Sequence, residues 1–289
     1  MRTLRRDGDL IVRAPAKVNL FLEILGKRPD GYHEIATLMV AIGLYDTLRF
    51  TDDPGGTIRL DVGRSNLSAG PDNLIVKAAR LLQDRSGCRP GASIRLTKRI
   101  PTMAGLAGGS SDAAATLIGL NELWRLGLSM VELSRIGSEL GSDIAFFFSL
   151  PAAWCTGRGE TVRPVAMGRK LDLVLVCPPF GCGTADVYRQ LRVPERPVDG
   201  EAMLRAAAAG DIEALTANMH NRLATPAEIV APELSRLRAR LPASGTMLSG
   251  SGSTLFALRH DRTQARQLAK SVRENPAFRG CRIFVVRTL

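Results

Sequence analysis

The sequence predicts an α+β protein of two domains, and three observations carry that prediction. A long alternating run near the N-terminus reads as a strand. A glycine-rich loop in the middle opens onto an alanine-rich helix. A continuous apolar strand near residue 171 precedes a helix-rich remainder. Strand and helix patterns alternate without a repeat period. The shift after residue 165 suggests domains of 1–168 and 169–289.

The elements follow in order. Residues 9–27 alternate Val18, Leu20, Leu22 and Ile24 with Asn19, Phe21 and Glu23, which is strand patterning. Arg28-Pro29-Asp30-Gly31 is a turn signal, with proline and glycine supplying the special backbone angles. Residues 73–85 place Leu74, Ala78, Leu81 and Leu82 on one helical face, and 93–96 reads as a short strand before the glycine loop. A helix is expected from the glycine loop to about residue 125 and another over 130–140, and a short apolar one follows Gly141-Ser142-Asp143. Beyond the strand at 171–177, helices are expected at 200–209, 212–222, 232–241 and 262–274, with strands at 255–258 and 282–286.

Composition narrows the function classes. Hydrophobic content of 45% and charged content of 23% are those of an ordinary globular protein. No apolar run reaches the roughly 18 residues of a membrane span, and the N-terminus lacks the apolar core of a secretory signal. A cytoplasmic protein is expected. Five scattered cysteines without C-x-x-C spacing fit reduced thiols, and no His/Cys/carboxylate cluster suggests a transition metal. The net charge of +11 raises nucleic acid as a partner, but the arginines are interleaved with acids and aromatic content is only 5%. A small polyanionic substrate fits the field better. Patterning gives no oligomeric state.

The stretch IPTMAGLAGGSSDAAA at 100–115 is the chemical centre of the sequence. Glycines let the backbone approach an anion, and the following helix N-terminus adds converging N–H groups with partial positive charge. Pro101, Thr102, Met103, Ala104, Gly105, Leu106, Ala107, Gly108, Gly109, Ser110 and Ser111 would then bind a nucleotide phosphate. The plainer reading is a tight turn with Ser110 or Ser111 as helix cap. The loop lacks the Gly-Lys-Ser/Thr ending of a Walker loop and the spacing of a Rossmann turn.

Three segments resemble, in order, the three motifs of the galactokinase–homoserine kinase–mevalonate kinase–phosphomevalonate kinase (GHMP) superfamily. They are Ala14–Leu20, Pro101–Ala114 and Leu248–Thr254. The resemblance implies a two-domain kinase using ATP and Mg²⁺. Its N-terminal domain would contain a left-handed βαβ unit and its C-terminal domain would be ferredoxin-like. Asp30-Gly31-Tyr32-His33 is similar to the signature of one subgroup. That subgroup phosphorylates the 2-hydroxyl of a cytidine diphosphate derivative of methylerythritol, in the non-mevalonate isoprenoid pathway. Ala107 departs from the family pattern, which has glycine there. A methyl group would strain a left-handed backbone at that position.

The resemblance also implies roles. Asp143 matches the catalytic base and Lys17 the lysine that keeps it ionised and steadies the developing alkoxide. Without the motifs, Asp143 reads as a helix cap and Lys17 as a surface residue. Asn73 and Lys98 match adenine-pocket positions, although Lys98 also reads as an exposed strand lysine. Ser110 could approach Mg²⁺, while the other residues suggest no metal site. Asn19, Tyr32, His33, Thr184 and Tyr188 match substrate positions, with cytosine between the two tyrosines and His33 at its edge. His220 and His260 show no supporting partners in the sequence. A homoserine or mevalonate kinase, and a basic RNA-binding protein, are the competing readings.

Overall fold

The computed structural model describes residues 1–6 and 8–289. Strands β1 (Arg2–Arg6), β2 (Asp9–Lys27), β3 (His33–Asp53) and β4 (Ile58–Asp61) open the chain. Helix α1 (Leu74–Ser86), β5 (Gly91–Thr97), α2 (Gly108–Leu123) and α3 (Met130–Ser138) follow, then a 3₁₀ helix at Ser142–Phe148. Next come β6 (Ala152–Gly157), β7 (Thr161–Pro164) and β8 (Asp172–Cys177). After them lie α4 (Thr184–Arg189), α5 (Glu201–Ala209), α6 (Ile212–Asn218), β9 (His220–Asn221), α7 (Ala224–Val230) and α8 (Glu233–Arg238). β10 (Thr246–Leu248), β11 (Leu255–Arg259), α9 (Arg262–Glu274), a 3₁₀ turn at Pro276–Phe278 and β12 (Arg282–Arg287) close the fold.

The chain forms two compact units. The first comprises 1–16, 44–100 and 107–150; the second comprises 17–43, 101–106 and 151–289. The long strands β2 and β3 contribute residues to both, within a sheet ordered β1-β2-β3-β5-β4.

In the first unit, β4 runs parallel to its neighbour β5 and α1 connects them, so β4–α1–β5 is a βαβ unit. Helix α1 starts at Asn73, whose Oδ1 accepts from Ile75 N, and ends at Gly87 in the left-handed region. Helix α2 is buried almost all round, which explains its run of alanines. At Gly119 a side chain would collide with the Phe50 ring, so glycine lets the helix pack on the buried β3 aromatic. Ser129 and Glu132 close a capping box on α3.

In the second unit, four antiparallel strands run in the order β10-β11-β8-β12, with α9 joining β11 to β12. That is the ferredoxin-like order implied by the resemblance. Val174, Val176, Leu255, Ala257, Ala265 and Val272 belong to its core. β12 is tied in at its end, where Thr288 Oγ1 accepts from Leu171 N and Leu289 N donates to Ala41 O.

Several sequence expectations need correction. Residues 33–53 form a 21-residue strand that no expectation covered, because its apolar run lacks a clear period. The helix expected at 212–222 stops at Asn218, since His220 and Asn221 pair in parallel with Phe21 and Leu22. The helix expected at 232–241 is shortened to Glu233–Arg238, and α7 precedes it. The short helix expected after Gly141-Ser142-Asp143 is present, as a 3₁₀ helix over Ser142–Phe148.

Candidate active site

The glycine loop is held by its carbonyls. Four successive carbonyl oxygens accept hydrogen bonds from three separate segments. Cys182 N donates to Met103 O (3.3 Å), Thr254 N to Ala104 O (3.2 Å), Ser249 Oγ to Gly105 O (2.9 Å) and Lys17 N to Leu106 O (3.2 Å). Residues of all three sequence motifs therefore meet in the second unit. With these acceptors occupied, the loop presents less carbonyl charge to an approaching anion.

Gly105 is required twice over. Its φ is +72°, and a Cβ there would overlap the Ser249 carbonyl. Asn221 braces the third motif, because its Nδ2 donates to Leu248 O at 2.9 Å and Gly250 O at 2.8 Å. Sequence reasoning missed Asn221, whose partners lie 27 and 29 residues away.

The loop then enters α2. The cap position is Ala107, at φ +50° and ψ +35°, with no side-chain cap. Neither Ser110 nor Ser111 caps the helix, so the plainer reading of this segment fails. Instead Ser111 Oγ is buried without a hydrogen-bond partner. Ala107 does adopt the left-handed backbone that its methyl group disfavours. Gly109 is exposed, whereas Gly108 is buried against Ile100 and the Lys98 ammonium.

Lys17 is 4% exposed, so it is not a surface residue. Its Nζ donates to Asn19 Oδ1 at 2.7 Å, Asn19 Nδ2 to Thr37 Oγ1 at 2.8 Å, and Thr37 Oγ1 to Phe21 O at 2.6 Å. This relay fixes the ammonium on β2. A Cβ on Gly250 would lie 3.4 Å from both Lys17 Nζ and Asn19 Oδ1, so the third motif flanks the pair. In the first unit, Asp143 lies in the first turn of the 3₁₀ helix, half-buried. The cap position there is Gly141, so the cap reading of Asp143 is wrong as well.

Lys98 is not an exposed lysine. It is nearly buried between Asp46 Oδ2 and Asp112 Oδ2, each at 2.6 Å, and both carboxylates raise its pKa against the effect of burial. Burial pushes the Asp112 carboxyl up to about 8; Lys98 opposes this and Asp46 adds to it. Asn73 has both amide ends engaged, its Nδ2 donating to Ser68 O.

The His33 ring packs on Tyr188 with centroids 5.1 Å apart and planes tilted by 38°. Burial, with Lys27 adding, lowers the His33 pKa. Tyr32 is 56% exposed, and the Arg158 guanidinium lies 4.9 Å from its ring centre. Tyr188 also packs against the core of the second unit. Thr184, exposed at the start of α4, shares a hydrogen bond with Ser251 at 3.0 Å. His220, contrary to expectation, has partners: Glu23 Oε2 at 3.1 Å and the Phe21 ring. It also lines a cavity of about 580 Å³ that contains none of the motif residues.

A glycine loop leading into a helix, with a buried lysine held on the early strand β2, defines a small-molecule kinase of the GHMP type. The GHMP kinases N terminal domain family matches residues 73–149, and GHMP kinases C terminal matches 203–277. A 4-diphosphocytidyl-2-C-methyl-D-erythritol kinase of Pelotomaculum thermopropionicum is 42% identical over 95% of this chain and 96% of its own length. The enzyme of the same name from Shouchella clausii is 40% identical over 91% and 90%. A crystal structure of 4-(cytidine 5'-diphospho)-2C-methyl-D-erythritol kinase matches at TM-score 0.79 and 34% identity, covering 96% of this chain and 98% of that one. A homoserine kinase from Cytophaga hutchinsonii shares the fold at TM-score 0.77 but only 16% identity, covering 100% and 97%. The chain belongs to the 4-diphosphocytidyl-2-C-methyl-D-erythritol kinase family of the GHMP kinases.

Proposed function

We propose that this protein transfers the γ-phosphoryl group of ATP to the 2-hydroxyl of 4-diphosphocytidyl-2-C-methyl-D-erythritol. The products are the 2-phosphate and ADP, within the non-mevalonate route to isoprenoid precursors. One observation carries the reading: the Ala104, Gly105 and Leu106 carbonyls are bound by the first and third motifs together. Such a loop is preorganised for phosphates, and phosphoryl transfer asks chiefly for positioning and charge neutralisation.

In this reading, loop 101–111 cradles the triphosphate, with Asn73 and Lys98 on the adenine side. Asp143 accepts the proton of the attacking hydroxyl, and Lys17 stabilises the alkoxide charge as it develops. The Lys17–Asn19–Thr37 relay supports that role, because a fixed ammonium needs no reorganisation during reaction. His33 and Tyr188 would hold the cytosine with Tyr32, and Thr184 would contact the same substrate. Mg²⁺ suits a donor set of the Ser110 hydroxyl and phosphate oxygens, where it would neutralise phosphate charge. The domains divide at 168/169 in this reading, and the enzyme works in the cytoplasm on small molecules rather than nucleic acid. No helix among the described residues is long and apolar enough to cross a membrane.

The test is an ADP-release assay with the cytidine diphosphate substrate beside free methylerythritol, mevalonate and homoserine. Turnover restricted to the first supports the assignment. Equal turnover of free methylerythritol, or preference for mevalonate or homoserine, rejects it.

A further inference from the structure

The glycine loop has a start and an end, and one buried lysine reaches both. Lys98 stands just after β5 and ion-pairs with Asp46 on β3 and Asp112 in the first turn of α2. The three side chains are 9%, 0% and 3% exposed. Asp46 does more than balance charge. Its Oδ1 accepts from Arg99 N at 2.5 Å and Ile100 N at 2.9 Å, the last residues before the loop. At the other end, a Cβ on Gly108 would lie 2.9 Å from Lys98 Nζ, so the ammonium rests against the loop where it becomes helix.

This cluster is an expensive way to hold a fold together. It places one ammonium and two carboxyl groups in a nearly dry interior, where apolar residues of similar volume often serve stability as well. Asp112 Oδ1 is also buried without a hydrogen-bond partner. On β3, Asp46 occupies the inward phase shared by Leu44, Leu48 and Phe50, where an apolar residue would fit the strand.

We propose that Asp46 is a positioning residue for the nucleotide: acting through Lys98 and the Arg99 and Ile100 amides, it fixes both ends of loop 101–111 at the spacing a triphosphate needs. The proposal rests on reading that loop as the ATP phosphate site. Without Asp46, Lys98 retains only Asp112, the Arg99 and Ile100 amides lose their acceptor, and the two ends of the loop are no longer tied together. Small misplacement of binding groups is costly even when the fold survives.

The experiment compares wild type, Asp46→Asn and Asp46→Ala. It combines calorimetric titration with a non-hydrolysable ATP analogue, steady-state kinetics and thermal melting. Asp46→Ala should raise the analogue Kd and the ATP KM together by about tenfold or more, with the KM of the phosphate acceptor within about twofold. Asp46→Asn keeps the Oδ1 acceptor and should fall between, at about threefold. That graded order, specific to the nucleotide, is what a merely structural residue would not give. Unchanged analogue Kd in a folded Asp46→Ala overturns the proposal, and so does an equal rise in both KM values. Should the alanine variant fail to fold, wild-type Kd in Asp46→Asn overturns it too. A wild-type protein that binds no analogue at all fails at the ATP reading itself, and the positioning role falls with it.

Discussion

Ser249 donates its hydroxyl to the carbonyl of Gly105 across 144 residues of sequence, joining the third motif to the second. The contact leaves no room at Gly105, where φ is positive and any Cβ overlaps the Ser249 carbonyl. Gly105→Ala should therefore lower the melting temperature and abolish nucleotide binding. Gly109→Ala should keep a native melt, because its Cβ would make only ordinary contact with Leu74, 3.5 Å away. Equal melting temperatures for the two variants would contradict this geometry. Gly108 is unsuitable for a clean test of phosphate approach, since a side chain there strikes Ile100 and Lys98 first.

Ala107→Gly removes a methyl group from a left-handed residue. The relief is about 1–2 kcal/mol and is offset by about 0.4–1 kcal/mol of added unfolded-state freedom. A small net gain in urea midpoint is expected, with an unchanged m-value. A clear loss of stability would show that the methyl group makes packing contacts that outweigh its strain.

Asp143→Asn should retain ATP binding and lower turnover by about a hundredfold or more, the scale of a lost proton acceptor. Since Asp143 is not the cap of its 3₁₀ helix, the melt should stay near wild type. Near-normal turnover would remove Asp143 from the chemistry.

Stability should depend on pH through Asp112. Its folded pKa of about 8 lies above the ordinary 3.8, so the folded protein binds this proton more tightly than the unfolded chain. The stabilisation is complete below about pH 4 and is lost as pH rises through about 8. Melts between pH 6 and pH 9 should fall more steeply for wild type than for Asp112→Asn, as about one proton's linkage requires. Parallel curves would mean that Asp112 ionises normally.

Tyr188→Ala should raise the KM of the cytidine substrate by about tenfold and leave that of ATP unchanged, because base stacking is worth about 1–3 kcal/mol. Tyr188→Phe keeps the ring face and should cost far less. The His33 ring already lies against Tyr188, so His33→Ala should weaken the same substrate. Unaltered kinetics in both alanine variants would place the cytosine elsewhere.

What could be read in the sequence was local. The helical faces of α1 and α9 follow a 3.6-residue period, and the three motifs are legible through their resemblance to those of the GHMP kinases. What escaped is long-range. Thr37 orients Asn19 from a strand without clear alternation, and Asn221 reaches carbonyls far along the chain. Lys98 could not be told from an exposed lysine because both of its partners are distant, at 52 and 14 residues. One signal was available: Asp46 is an acid in phase with Leu44 and Leu48, a position where a lone charge demands a buried partner.

Glu23, fully buried on β2, gathers Val198 N, the His220 ring and two of the three Arg222 guanidinium nitrogens around one carboxylate. Its partners are made some 175 to 199 residues after it. On the ribosome, this early strand therefore carries an uncompensated charge through most of translation, and it cannot settle until Arg222 has emerged. A nascent chain stalled before that point should remain a chaperone client and protease-sensitive around β2. One stalled beyond Arg222 should begin to protect it, making the Glu23 cluster a timer of vectorial folding.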